Sequence, residues 1–258
     1  MKWLLSIVVV LVLLLVAIAF APASLVPLAL VELDARGMLQ ANAPRLTLAE
    51  TRGSVWRGEA AQATLHIEKI DVPLGVMTWK LQPLSLLNKE PVIHVTTKKL
   101  GQTVNAVVTI TEAGQVSIND LEGRLPLTLL EPWAPMLVRG DIAFMVDHIV
   151  FTQQQLLAID GAVNFEQLDW LGAGEPMPLG SYLAQVSMRQ DSIQVQLNDF
   201  GAKLGLVGEL TINPAGSYQF KGTFQPREGL APQIAASLKW FGKVSPNGDI
   251  AIDQKGRF

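Results

Sequence analysis

The chain has 258 residues, with 20 Lys and Arg against 23 Asp and Glu, a formal net charge of −3 and 49% apolar content. It has no cysteine, which excludes disulfides, thiol catalysis, Cys-ligated zinc and iron–sulfur clusters. Its Lys and Arg are scattered singly, without a basic run or aromatic–basic interleaving, so the sequence carries none of the usual signs of nucleic-acid binding.

The first element is the stretch from Trp3 to Val31, which has no charged residue. Trp3–Ala21 is almost entirely aliphatic, and about 20 apolar residues as helix span a hydrocarbon core of roughly 30 Å. A helix also satisfies its own backbone polar groups in lipid. Lys2 is the positive charge on the short side, which keeps the N-terminus in the cytoplasm and sends the rest of the chain across. The rival is a cleaved signal peptide. Ala19-Phe20-Ala21 has the small-x-small form, but Pro22 would follow the cut, and Ala21-Pro22-Ala23 is a second candidate. The apolar run is longer than the roughly 7–15 residues of a signal peptide, so an uncleaved anchor is expected. A cysteine-free exported body fits the bacterial periplasm.

From Ala23 to Arg36 the sequence allows the helix to continue, with Gly37 as a stop. Met38–Leu48 reads as linker or first strand. Gly53 and Gly58, around Val55 and Trp56, suggest a strand bent sharply at each end. Trp79 and Leu81 alternate with Lys80 and Gln82, the period of a half-buried strand, and Pro83 ends it. Pro91–Thr97 is β-rich, with Val92, Ile93, Val95 and Thr96. Val104, Ala106, Val108 and Ile110 share a face, and after a turn at Glu112–Gly114 Val116 and Ile118 return as a hairpin. Leu125–Val138 is broken by three prolines and supports at most a short helix or a packed connection.

The cleanest alternation is Ile193, Val195 and Leu197, continued by Leu204, Leu206, Leu210 and Ile212, with Gly208 in register. Asn213-Pro214-Ala215-Gly216 is a turn, and Tyr218, Phe220 and Phe224 follow on the next strand. Ile234, Leu238 and Phe241 take helical spacing within Ala231–Phe241. Ile250 and Ile252 form a last short strand. The expected fold is mainly β: one N-terminal transmembrane helix, then antiparallel meander hairpins. Sandwich, barrel and curled groove all give this alternation.

The sequence carries no catalytic constellation. His66, His94 and His148 are far apart in sequence, and His66 with Glu68 and Asp71 is better read as a solvated strand face than as a metal site. Asp147-His148 lacks a serine in a glycine-flanked turn to complete a triad. Gly172-Ala173-Gly174-Glu175-Pro176 is a loop, not a phosphate cradle, because no helix with Lys or Ser/Thr follows it. Neither cofactor nor metal is expected. The tryptophans are more informative. Trp56, Trp79, Trp133, Trp170 and Trp240 recur through the body, and most sit near Gly, Pro or a turn. Core pins at bends are one reading. A partner- or lipid-contacting surface at Trp56, Trp79, Trp133 and Trp170 is the other.

An N-terminal anchor, then Gly53-x-Val55-Trp56-x-Gly58, Trp79-x-Leu81-x-Pro83-x-x-Leu86-Leu87 and Pro178-Leu179-Gly180-x-Tyr182-x-Ala184, resembles the protein N family of the bacterial type II secretion system. The resemblance covers nearly the whole chain. It implies an accessory inner-membrane component of the machine that exports folded periplasmic proteins through an outer-membrane secretin, with no active site or cofactor. The expected partners are inner-membrane and periplasmic domains of other secretion components, with the secretin as one candidate. The expected organisation is a cytoplasmic N-terminus and anchor at 1–31, a linker at 32–45 and a periplasmic β-rich domain at 46–258. The alternative is an anchored lipid-binding or lipid-transfer protein with an open β-groove, since the sequence also faintly resembles AsmA-like proteins.

Overall fold

The computed structural model describes residues 20–35, 44–67, 70–111, 114–131, 137–152, 155–172, 175–240 and 242–257. Most of the expected anchor, with Glu68, Trp133 and Phe241, lies outside the described residues. Among those described, no helix is long and apolar enough to cross a membrane. Helix α1 (Leu25–Ala35) falls where the sequence allows a helix to continue after the apolar run.

The chain divides into two compact units, one built from the described residues up to 99 with 109–111, the other from 100–108 and those from 114 on. The first holds α1 and strands β1 (Arg45–Gly53), β2 (Arg57–Ile67), β3 (Ile70–Leu81) and β4 (Val92–Lys99). They lie side by side in chain order. The second holds most of β5 (Gln102–Ile110), then β6 (Val116–Pro126), β7 (Val138–Phe151), β8 (Leu156–Trp170) and β9 (Met177–Arg189). It continues with β10 (Ser192–Asp199), β11 (Leu204–Ile212), β12 (Ser217–Pro226), helix α2 (Pro232–Leu238), β13 (Lys243–Val244) and β14 (Ile250–Arg257). Its strand order is again sequential, except that β14 lies between β12 and β13. Among the described residues, neither unit stacks a second sheet on the first and neither pairs its last strand with its first. A sandwich and a closed barrel are therefore ruled out for each unit. What forms is an open antiparallel meander.

In the first unit, Gly53 and Gly58 do not bend one strand. They face each other across a hairpin whose turn is 54–56, with Gly53 at φ +90°. Gly58 lies directly opposite Trp79, and a Cβ at Gly58 would run into the Trp79 indole. The missing side chain is what lets the ring lie flat on the strand. Trp79 then packs with Ala23 and Ala60, and Val26, Leu48 and Ile93 close around them. Its indole Nε1 donates to the Val55 carbonyl at 3.0 Å.

In the second unit, antiparallel register lines side chains up across many strands. One row runs Leu121, Val146, Gly161, Val186, Val195, Leu210, Phe220. On the opposite face Gln185, Gln196, Glu209, Lys221 and Asp253 form a polar row. The Phe220 ring lies over Gly208 and Gly222, filling the space their side chains leave. With one layer, most of these apolar residues stay half-buried, Val146 being buried. A buried cluster forms where α2 seats Ile234 on Leu179, Tyr182, Ala202 and Leu204.

Candidate functional site

Strands β1 to β3 bring a hydroxyl, an imidazole and a carboxylate into line. Thr47 Oγ1 lies 2.9 Å from His66 Nε2, and His66 Nδ1 lies 2.6 Å from Asp71 Oδ1. This is the order of nucleophile, base and orienter. It is nevertheless open to water, with the Asp71 side chain 70% exposed. The Thr47 hydroxyl also approaches the Thr64 carbonyl at 3.4 Å. The arrangement laces three strands together on a solvated face.

The other two histidines are elsewhere. His94 on β4 has its Nε2 2.7 Å from the Gln82 amide nitrogen. His148 on β7 lies between Asn119 and Asp160 on the neighbouring strands. With Asp160 and Asp191 it lines a shallow cavity of about 280 Å³. Asp147 sits at a register break of β7. Among the described residues no three His, Asp or Glu side chains converge as metal ligands would.

The structure treats the tryptophans differently from one another. Trp79 is buried in the first unit's core. Trp56 is half-buried in the turn between β1 and β2, and its carbonyl accepts from Leu81 N–H. Trp170, at the end of β8, packs against the cluster under α2. Trp133 lies outside the described residues. Trp240 is 90% exposed just past α2.

The most constrained polar group was not singled out by sequence reasoning. Asp199 ends β10 on the apolar face, opposite Tyr182. Its side chain is 4% exposed and takes both Arg227 guanidinium nitrogens, at 2.5 and 3.1 Å. The amides of Ala202 and Leu206 donate to it as well, each at 3.1 Å. Arg227 also donates to the Ala202 carbonyl, and the Tyr182 hydroxyl donates to the Leu204 carbonyl. Burial alone would raise the Asp199 carboxyl, but the hydrogen bonds from Arg227 and the two amides, with the Arg227 charge, outweigh it and hold it below the ordinary carboxylate value. Burial, reinforced by the Asp199 charge, pushes the Tyr182 hydroxyl up to about 12 against the pull of Arg227. Each carboxylate oxygen accepts two hydrogen bonds, so the group knots the 199–204 turn to the end of β12. The signal in the sequence is an aspartate in the phase of Ile193, Val195 and Leu197.

Residues 44–253 match the family model described as type II secretion system (T2SS), protein N. Similar curated proteins carry the name type II secretion system protein N. The one from Klebsiella pneumoniae is 26% identical, covering 81% of this chain and 79% of its own. The Aeromonas hydrophila protein is 22% identical, covering 80% and 82%, and that of Vibrio cholerae serotype O1 is 18% identical, covering 82% and 85%. No solved structure matches the chain significantly.

Proposed function

The chain belongs to the type II secretion system protein N family, and we propose that it works without catalysis as an accessory component of that machine. In this reading Trp3–Ala21 anchors it in the bacterial inner membrane, N-terminus in the cytoplasm, with the body in the periplasm. It supports export of folded periplasmic proteins across the outer membrane through contacts with other components. The observation that carries the reading is the family match over 44–253, which spans the β-rich body. Edge strand β1 offers a means of contact. It has β2 on one side and, among the described residues, no strand on the other. An extended segment of a partner can add there through main-chain hydrogen bonds. The test is photo-crosslinking in living cells with the full chain, probes at Ala49, Trp56 and Trp170, and a secreted reporter. Crosslinks to inner-membrane or periplasmic components of the machine are expected. Recovery of none, with reporter export unchanged when the protein is deleted, would overturn the proposal.

One observation favours lipid as a second reading. Among the described residues, α2 covers the apolar face around Leu179, Tyr182 and Leu204, while Val186, Val195, Leu210 and Phe220 of the same sheet stay half-buried. A single layer with such a face can hold acyl chains. Lipid in solvent extracts of the purified full chain, lost when Val195 and Leu210 are replaced by Asn, would support it. Extracts free of lipid would count against it.

A further inference from the structure

The end of the first unit where the chain enters the sheet gathers several features. Val55 N–H donates to the Ala21 carbonyl at 2.9 Å and Ala23 N–H to the Gly53 carbonyl at 3.1 Å. Pro22 bridges Ser54. Leu81 N–H donates to the Trp56 carbonyl at 2.8 Å and Gln82 N–H to the Val92 carbonyl at 2.9 Å. These bonds place the turn at 54–56, the β3–β4 connection and residues 21–23 at one end of the strands. Residues 21–23 lie where the Trp3–Ala21 part of the uncharged stretch ends.

That end is cationic. Arg57, Lys80 and His94 stand directly opposite one another on β2, β3 and β4. With Arg52 they line a cavity of about 580 Å³, in which Glu59 is the one carboxylate. Like charges directly opposite on neighbouring strands destabilise a sheet unless something neutralises them. Glu59 stands directly opposite Arg52, which leaves Arg57 and Lys80 facing each other, and among the described residues the ion pairs His66–Asp71, Arg124–Glu166, Arg139–Asp169 and Arg227–Asp199 take up no acid at this end.

The same end is also greasy. The β3–β4 connection is a 3-10 turn, Pro83–Asn88. Leu84 and Leu87 are 77% and 79% exposed there, and Leu86 is 40% exposed. Phe20, just before the pinned segment, is 78% exposed. Exposed leucines beside cations that outnumber the acids are what an interfacial site requires. Apolar side chains enter the boundary of headgroups and acyl chains, and cations meet lipid phosphates.

We propose that this end of the first unit docks on the bilayer surface, with Leu84 and Leu87 inserted at the interface and Arg52, Arg57 and Lys80 holding the phosphates of anionic phospholipids. The proposal rests on reading Trp3–Ala21 as a membrane anchor, which would set this end at the membrane. Charge complementarity and continuity with the apolar stretch select the lipid surface over a soluble partner.

The chain's lack of cysteine makes the test direct. Full chain carrying Leu87→Cys, labelled with an environment-sensitive fluorophore, is reconstituted into vesicles of phosphatidylcholine with or without about one third phosphatidylglycerol. Pro73→Cys, on an exposed position toward the other end of β3, is the control. The expected result is a blue-shifted emission at 87, quenched by lipid-borne quenchers, stronger with phosphatidylglycerol and weakened by salt. The control stays in water. In Arg52→Gln/Arg57→Gln/Lys80→Gln the phosphatidylglycerol-dependent part falls several-fold, with circular dichroism confirming the fold. A water-like emission at 87 overturns the docking proposal. A shift equal in both vesicle types overturns the assignment to anionic lipid. Alkaline extraction separates the two readings. Release of the chain would sink the anchor, and the probe at 87, with chain added to preformed vesicles, still decides the docking.

Discussion

Trp79 joins three features at a single position: an indole in the core, an N–H that needs a partner, and a glycine that makes room for the ring. Its exposure is 6%. Trp79→Ala removes the ring and leaves a hole over Gly58, and the expected loss is about 3–5 kcal/mol. Gly58→Val should destabilise for the opposite reason, since its side chain would meet the ring and the Ser54 carbonyl. Thermal melts of the three chains check this, and a melt of Gly58→Val equal to the parent would refute the packing argument. Asp199 and Tyr182 each link stability to pH. Because the folded Asp199 carboxyl titrates below its ordinary value, it adds stability above about pH 4 that disappears as pH falls through the lowered value. Asp199→Asn should therefore melt several degrees lower at neutral pH and lose part of the parent's acid-side decline. The folded Tyr182 hydroxyl, raised to about 12, contributes below about pH 10 and stops contributing as pH rises to that value. Tyr182→Phe should flatten the alkaline side. Melting points measured from pH 3 to 12 test both signs. A parent and Asp199→Asn with parallel acid limbs would show that the buried carboxylate is not linked to folding.

At the scale of elements, helix α2 shows how far packing replaces propensity. It has seven residues, too few to hold a helix in water. It persists because Ile234 is 8% exposed against Leu179, Tyr182 and Leu204, with Leu238 beside it. Ile234→Ala should cost about 2–4 kcal/mol and unlatch the helix. Hydrogen exchange should then show 232–238 unprotected while the β10–β11 hairpin keeps its protection. Retained protection at 232–238 would mean that something else holds it. The helical spacing of Ile234 and Leu238 was legible in the sequence, and so were the strands from 193 to 224, where alternation runs unbroken. The long strands β7, β8 and β9 were not. Register breaks at 139–141, 146–148 and 165–168 shift the phase of alternation, and Gln167 takes a positive φ of 50°. A period-2 reading fails where an extra residue moves the apolar set to the other parity. The Gly53–Gly58 hairpin was hidden for another reason. Two glycines with a tryptophan between them mark bends, but only the pairing shows that they are opposite each other. The Asp199–Arg227 knot was hidden because its partners lie 28 residues apart in sequence.

On the scale of the whole molecule, strand order determines how the chain should unfold. Within each unit nearly every strand pairs with its neighbours in sequence, and β14 between β12 and β13 is the one departure. A fold whose elements touch mainly their neighbours has stability that sums locally, as in repeat proteins, and its cooperativity weakens with length. The thin burial sharpens this, since Ile250 is the one large side chain below 2% exposure among the described residues. Urea unfolding of the full chain in detergent should therefore deviate from two-state behaviour. Two probes weight the molecule differently. Tryptophan emission reports on six sites, among them the buried Trp79 and the half-buried Trp56 and Trp170, whereas far-ultraviolet circular dichroism averages over all strands. Their midpoints should differ, and the apparent slope with denaturant should fall below that expected for a single cooperative unit of this length. Adding reductant should change neither curve, since the chain has no cysteine. Coincident transitions with a full-length slope would refute local summation. They would mean that the open sheet is tied together by contacts beyond strand-to-strand pairing, and the loosely covered apolar face of β6–β12 would be the first place to look for them.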